Sequence, residues 1–283
     1  MDLAEKIKEI TGQSVTSVEP LSGGCIGEVY RVRLVDGSSV VAKMEDGPRP
    51  QLAVEGYMLR YLAENSQLPV PAVLHSEPGF LLMTYLPGRN HFSADAQRHA
   101  AVLLAALHNI SSTQYGLEQD TLIGGLHQPN ALNDSWLDFF REQRLLYMGR
   151  QGLESGRLPA AVFSRLELLC RRLERWLVEP EQPSLIHGDA WSGNILAASD
   201  RITGFVDPAI YYADAEIELA FTTLFGTFGE PFFERYTSIR PIAPGFFEER
   251  RNLYNLYPLL VHVRLFGGSY VSSVERTLRQ FGA

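Results

Sequence analysis

The chain has 283 residues, 45% apolar and 20% charged, which excludes a disordered chain and gives ample material for one large domain or two lobes around a cleft. Its formal charge of −8 argues against nucleic acid or an anionic membrane as a partner and favours a cationic or neutral substrate. Cys25 and Cys170 are the only cysteines, too few for a disulfide framework and without metal-binding spacing, so a reducing compartment is expected. Residues 1–10 mix charge with apolar positions instead of forming a leader core, and no run approaches the about 18 apolar residues of a membrane span. A cytoplasmic protein is expected.

Residues 14–85 read mostly as short strands. Val15 to Leu21, Glu28 to Val35 and Ser38 to Met44 have strand character, with Asp36-Gly37 as a tight turn between the last two. A helix over Gln51 to Ala63 follows, then strands at Ala72 to His75 and Phe80 to Thr84, and Leu86-Pro87-Gly88 as a connector. From Ser93 onward helical periodicity dominates; Val162, Leu166, Leu169, Leu173 and Trp176 form the stripe of an amphipathic helix. The expectation is an α+β chain in two lobes: residues 1–87, a small antiparallel sheet with one helix, and residues 88–283, larger and mainly helical. Short apolar runs at Ser184 to Ile186, Ile195 to Ala197 and Ile202 to Val206 interrupt the helical half.

The residues with the chemistry lie among those runs. His187-Gly188-Asp189-Ala190-Trp191-Ser192-Gly193-Asn194 is followed by Phe205-Val206-Asp207. Kinase catalytic loops carry Asp and Asn five positions apart and a metal-binding Asp on a later strand, as here. If the two runs after Asn194 pair as a hairpin turning at 199–201, Asn194 and Asp207 stand opposite each other with Cβ atoms about 5 Å apart. Two such oxygen donors suit a magnesium ion carrying nucleotide phosphates. Asp189 is the candidate base that accepts the proton of an incoming hydroxyl. His187 is assigned to loop support, and His108 and Cys170 to structure.

Ser22-Gly23-Gly24-Cys25-Ile26-Gly27-Glu28-Val29 matches a kinase glycine loop with Ser22 in place of the first Gly, so Gly23, Gly24, Cys25 and Gly27 are candidate phosphate-loop positions. It precedes Val40-Val41-Ala42-Lys43, a strand ending in a lysine. Glu55 interrupts the stripe Leu52, Leu59, Leu62 and would need a cation if buried. Lys43 is the candidate partner, held by Glu55 against the phosphates of ATP. By position, free backbone groups where Phe80 to Tyr85 passes into the connector, at Met83 and Tyr85, would hydrogen-bond the adenine.

Taken together, these residues resemble the fructosamine and ketosamine 3-kinases, relatives of the aminoglycoside and choline phosphotransferases. The loop from His187 to Asn194 is similar to that family's HGDLWSGN with Ala190 for the usual Leu, and Gly23-Gly24-Cys25-Ile26 and Asp207-Pro208-Ala209 are similar too. The resemblance implies a protein-kinase-like fold, ATP and Mg2+ as cofactors, and phosphorylation of the sugar 3-hydroxyl of small-molecule or protein-bound ketoamines, reversing glycation. It sets Asp189 and Trp191 beside the substrate. After Asp207 the chain departs from the family's YGHRE or YGDRE, reading Tyr212-Ala213-Asp214-Ala215-Glu216; there Asp214 and Glu216 either meet the substrate amine or cap the next helix. Glu218 takes a position where the family usually has Asp, with a role in supporting the catalytic loop. Another small-amine or sugar kinase, or a nucleotide-binding regulator, are the competing readings; intact Lys43, Asp189, Asn194 and Asp207 oppose the latter. Cys25, between glycines, is a candidate redox-sensitive thiol that could link two chains.

Overall fold

The computed structural model describes residues 2–21 and 27–283. The chain opens with a helix, α1 (Leu3–Thr11), so the first lobe holds two helices rather than the single one expected. Leu3, Ile7 and Ile10 share one helical face, and Ile7 is fully buried against Val32, Val40 and Leu82. That i, i+4, i+7 spacing is itself a helix signal, which the sequence reading passed over; the helix roofs a sheet face that would otherwise be wet.

That sheet consists of β1 (Val15–Pro20), β2 (Glu28–Leu34), β3 (Ser39–Met44), β4 (Val73–Glu77) and β5 (Phe80–Thr84), antiparallel in the order β1-β2-β3-β5-β4. The β2–β3 turn is made by Asp36, whose Oδ1 accepts from Ser38 N at 2.9 Å, and Gly37 at φ 85°. Alternate residues serve opposite faces. Val40 and Ala42 meet α1, whereas Val41 packs with Leu81 and Met83 against Leu52 and Leu59 of α2 (Leu52–Asn65).

The far end of α2 belongs to the second lobe. Met58 and Leu62 join the large core that includes Leu104 and Ile123, and the Tyr61 and Tyr212 hydroxyls lie 3.1 Å apart. Any swing of α2 would break both cores, so the residues it carries are fixed relative to the cleft.

The second lobe contains α3 (Ala94–His108), the hairpin β6 (Thr121–Ile123) and β7 (Leu126–Gln128), then α4 (Trp136–Phe139) running through a π-helical stretch, Phe140–Leu146, into α5 (Tyr147–Glu154). Next come α6 (Ala160–Cys170), β8 (Ser184–Ile186), β9 (Ile195–Ala198), β10 (Arg201–Phe205) and β11 (Tyr211–Ala213). The chain closes with α7 (Ala215–Leu224), α8 (Glu230–Ile239), α9 (Arg251–Tyr254), α10 (Leu256–Phe266) and α11 (Ser269–Gln280). The amphipathic stripe through Trp176 outruns its helix: α6 stops at Cys170, and a 3-10 turn, Leu173–Arg175, keeps Leu173 in the core. No helix among the described residues is long and apolar enough to cross a membrane. The architecture is α+β, a two-lobed protein-kinase-like fold.

Candidate active site

Lys43 sits on β3 between Val29 of β2 and Leu81 of β5, 7% exposed. Its ammonium lies 2.7 Å from Glu55 Oε1 on α2 and also pairs with Asp207. Burial works against this cation, but Asp207 and Glu55 outweigh it and hold the ammonium well above its ordinary value. In turn Asp207, which burial alone would push up, is held below the usual carboxylate range by Lys43. Truncating one member of such a buried pair costs about 3–5 kcal/mol.

The β9–β10 hairpin forms, with a register one residue different from that expected. Ile195 pairs with Phe205 and Leu196 with Gly204, but Ala197 pairs with Ile202, which leaves Thr203 in a bulge. The bulge is put to use: Thr203 Oγ1 donates to the Pro87 carbonyl at 2.6 Å, and Arg89 exchanges two backbone hydrogen bonds with Ala197 at 2.8 and 2.9 Å. The connector between the lobes is thereby bound to the hairpin. Asn194 consequently faces Val206, whose N–H donates to its carbonyl at 2.9 Å, and Asp207 lies one step beyond the opposed position. Asp207 has φ 52°, a left-handed conformation that Ser199 alone shares among the described non-glycine residues. Strained backbone of this kind concentrates at functional sites, and Asp is among the side chains that tolerate it.

Asp189 is tied to Asn194, whose Nδ2 donates to Asp189 Oδ2 at 2.7 Å and to its carbonyl at 3.0 Å. Burial, with a contribution from the Asp207 charge, pushes the Asp189 carboxyl up to about 8 despite that hydrogen bond. The loop backbone is held from behind by Glu218 of α7: Oε1 accepts from Gly188 N at 2.6 Å, and Oε2 from His187 N at 3.2 Å and His108 Nε2 at 2.9 Å. The other nitrogen of His108 meets the Tyr236 hydroxyl at 2.7 Å. His187 Nδ1 accepts from Asp189 N at 3.3 Å, a loop-supporting contact.

Two expectations about stability arise here. Burial would raise the Glu218 carboxyl, yet the His108 and backbone hydrogen bonds outweigh it and hold the group below its ordinary value of 4.5. Its contribution is therefore full above that value and fades as pH falls through the lower folded one. Urea unfolding of Glu218→Gln should show a loss of roughly 3 kcal/mol at neutral pH, shrinking in acid. Gly188 has φ 84°, and a Cβ there would lie 2.0 Å from the Ala209 carbonyl oxygen. Gly188→Ala should melt about 5 °C or more below the wild type, because both the conformation and the contact resist a methyl group.

Two cavities meet at Lys43 and Asp207. The larger, about 470 Å³, is lined by Leu21, Val29 and Val41 above and by Leu196 and Val206 below, with Met83, Tyr85 and Leu86 along its inner wall. Tyr85 N–H is already committed to the Ser39 carbonyl at 3.2 Å, and its ring lies under Arg31 at 4.1 Å. Leu86 N–H has no acceptor among the described residues. Of the glycine-loop candidates, Gly23, Gly24 and Cys25 lie outside the described residues, and the Cys25-linked pair of chains with them. Gly27 is described, at φ 68°, where a Cβ would come 2.1 Å from the Met44 carbonyl oxygen.

The smaller cavity, about 90 Å³, is bounded by Glu45, Glu55, Asp189, Trp191, Asn194 and the Gly124-Gly125 turn of the β6–β7 hairpin. The sequence reading missed this hairpin, although a Gly-Gly pair between apolar residues signals one. It is anchored by a buried arginine, Arg144, which donates to the Pro129 carbonyl and Asn130 Oδ1, both at 2.6 Å, and lies over the Tyr211 ring.

Asp214 and Glu216 lie outside both cavities, and of the two alternatives left open for them the geometry matches the helix cap. Asp214 caps α7 by accepting from Glu216 N at 2.9 Å and accepts from the Tyr254 hydroxyl at 2.5 Å, while Glu216 is clamped by Arg250 at 2.6 and 2.7 Å. They sit past the end of β11 that is remote from the catalytic loop, beside a separate cavity of about 500 Å³.

A lysine–carboxylate pair under a sheet, facing an Asp/Asn loop across a cleft, defines an ATP-dependent phosphotransferase of the kinase class. A family model described as fructosamine kinase matches residues 1–282, and the chain belongs to that family. It is 37% identical to a protein from Synechocystis sp. named "Probable ketoamine kinase", over 98% of this chain and 95% of that one. A protein of the same description from Escherichia coli is 32% identical over 91% and 90%. The crystal structure of a protein from Thermobifida fusca, provisionally named a fructosamine-3-kinase, superposes with TM-score 0.87 at 31% identity, covering 98% and 97% of the two chains. An aminoglycoside phosphotransferase solved with ADP and hygromycin B has TM-score 0.71 at 16% identity over the full length of both, a likeness of fold.

Proposed function

We propose that the protein transfers the γ-phosphate of ATP to the sugar 3-hydroxyl of a ketoamine, a fructosamine or ribulosamine adduct, free or protein-bound, and so takes part in deglycation. The observation behind this reading is the pair of cavities that share Lys43 and Asp207, one large with apolar plates, the other small and acidic with Asp189 in its wall. A purine between the apolar residues of the two lobes would find a free donor in Leu86 N–H. The donor set around Asn194 and Asp207 is hard oxygen, and no cluster of three or more His, Cys, Asp or Glu fit to hold a metal occurs among the described residues. That set fits magnesium, which keeps several waters and relies on phosphate oxygens. Bound there by Asn194 and Asp207, the ion would supply charge neutralisation for the transferring phosphoryl group.

Asp189 would orient the acceptor hydroxyl and take its proton, with Asn194 holding the carboxylate in place. Lys43, fixed by Glu55, would hold the phosphates. Glu45, Glu55, Asp189 and Asp207 line the small cavity with Lys43 as the one cation among the described lining residues; an ammonium entering there would favour the ionised form of the raised Asp189 and Glu55 carboxyls, so the setting suits an amine-bearing acceptor. A panel of acceptors tests this: with ATP and magnesium, ribose- and fructose-derived ketoamines should turn over faster than kanamycin or choline, with a single phosphate on the sugar 3-oxygen by mass spectrometry and NMR. Transfer to an aminoglycoside alone would replace the ketoamine reading with that of an antibiotic kinase. Nucleotide affinity without turnover on any acceptor would favour a regulator.

A further inference from the structure

Beyond Trp191, in the wall of the small cavity, lies a run of aromatic side chains that the phosphoryl-transfer chemistry does not use. The Trp191 ring, at the cavity wall, is 5.7 Å from Phe225; Phe225 is 5.0 Å from His262, and His262 is 4.8 Å from Tyr270 and 5.7 Å from Phe266. Phe225 and Phe266 are 36% and 59% exposed. Single exposed apolar residues are ordinary, but a continuous run of rings with one end in a catalytic cleft is not scatter.

The fold brings these rings together deliberately. Helix α10 ends at Phe266, and Gly267 and Gly268 follow at φ 65° and 62°, a left-handed pair that reverses the chain so that Tyr270, in the first turn of α11, returns onto His262. Two contacts place the end of α10 beside the cleft. His262 and Asp189 line the same small void, and Leu265 approaches Gly124 of the acceptor-side hairpin so closely that an added Cβ would lie 3.0 Å from its Cδ1. His262 Nδ1 is 2.7 Å from the Pro258 carbonyl, to which it donates, and burial lowers its pKa, which favours the neutral ring over one that would repel a cation.

We infer that Trp191, Phe225, His262, Phe266 and Tyr270 form the subsite for the amine substituent of the acceptor, selecting ketoamines whose nitrogen carries an aromatic or apolar group over those carrying a carboxylate. The inference rests on the ketoamine reading above. The sugar enters the acidic cavity beside Asp189, its secondary ammonium passes the carboxylates at the mouth, and the substituent lies along the rings. Aromatic faces attract both an alkylammonium and a second ring. A carboxylate one carbon from the nitrogen, as in a glycine adduct, stays beside the small cavity, where Glu45 and Asp207 oppose it and the one cation among the described lining residues, Lys43, is already paired.

The test uses the ribulose adducts of 2-phenylethylamine, ethylamine and glycine. The phenylethyl adduct is expected to exceed the ethyl adduct by about tenfold in kcat/KM, the scale of one good aromatic contact, and the glycine adduct should be the poorest. Phe266→Ser and Tyr270→Ser should raise KM for the phenylethyl adduct about fivefold and narrow its lead, with Phe266→Leu between them and the wild type. Melting curves that match the wild type would assign the loss to the subsite and not to unfolding. Equal kcat/KM for all three adducts, or variants that slow the ethyl and phenylethyl adducts by the same factor, would overturn the subsite while leaving the ketoamine reading intact. Absence of transfer to any of the three would overturn that reading and this inference with it.

Discussion

Asp189→Asn is expected to lower turnover by roughly 10²-fold or more, the scale of a general base, while magnesium-nucleotide affinity stays within about threefold of the wild type. The amide is nearly isosteric, so the loop has no steric reason to move. The backbone bonds that set the loop, from Gly188 and His187 to Glu218, do not involve the Asp189 side chain. What changes is the group facing the hydroxyl: an amide cannot take its proton. The Asn194 Nδ2 bond now made to Asp189 Oδ2 can be kept by the new carbonyl oxygen, so Asn194 remains in position. Single-turnover assays combined with calorimetric nucleotide titration separate the two quantities. An equal loss in affinity and turnover would mean that Asp189 helps to hold the nucleotide, and the division of labour proposed for the loop would fall.

How much of this could be read from the residues alone depended on range. Turn chemistry is local, so Asp36-Gly37 marked the β2–β3 hairpin directly, and short continuous apolar runs marked β3 and β5. Lys43 and Glu55 could be matched because an acidic residue in an apolar helical stripe demands a cation and the preceding strand carries one. The second partner of Lys43 could not be found this way. Asp207 is 164 residues further on, and only the closing of the lobes brings it to the ammonium. The β9–β10 register failed for a related reason: counting back from the turn assumes a regular ladder, whereas Thr203 leaves it to reach Pro87 in the connector, a tertiary contact without a sequence signature.

The acceptor side was the least legible. Asp214 and Glu216 had the right charge for an amine and the wrong address, since a cap for α7 and a partner for Arg250 use the same residue types as a substrate site. The residues that do line the small cavity near Asp189, Leu122 and the Gly124-Gly125 turn, carry no charge and looked like ordinary hairpin material. Phe225 follows α7, Phe266 ends α10 and Tyr270 opens α11, and only the folded chain brings Phe225 to the His262 ring that the other two also meet. Catalytic chemistry needs particular functional groups at fixed offsets and so leaves a pattern. Substrate selection needs a shaped surface, which many sequences can supply.

Asp207→Asn should act on nucleotide binding before chemistry. Removing one charged oxygen from the proposed magnesium site is expected to weaken the magnesium-nucleotide complex by about 10²-fold, treating the lost ion–carboxylate attraction as worth about 3 kcal/mol. Asparagine is the right replacement because it too tolerates the left-handed backbone at φ 52°, where a β-branched residue would add strain of its own. Lys43 keeps Glu55 at 2.7 Å, so its ammonium is not stranded in the variant. Stability should nevertheless drop. The wild-type Asp207 carboxyl is held below its ordinary value of 3.8, so the paired carboxylate contributes at all pH above that value and the contribution is lost only as pH falls through the folded one. At neutral pH the variant should therefore unfold more readily, and the gap should narrow as pH falls below 3.8. The decisive measurement is nucleotide titration with and without magnesium. If Asp207 is a metal ligand, the 10²-fold loss appears only with the ion present; the same loss in its absence would make Asp207 an anchor for Lys43 and leave the metal to other oxygens.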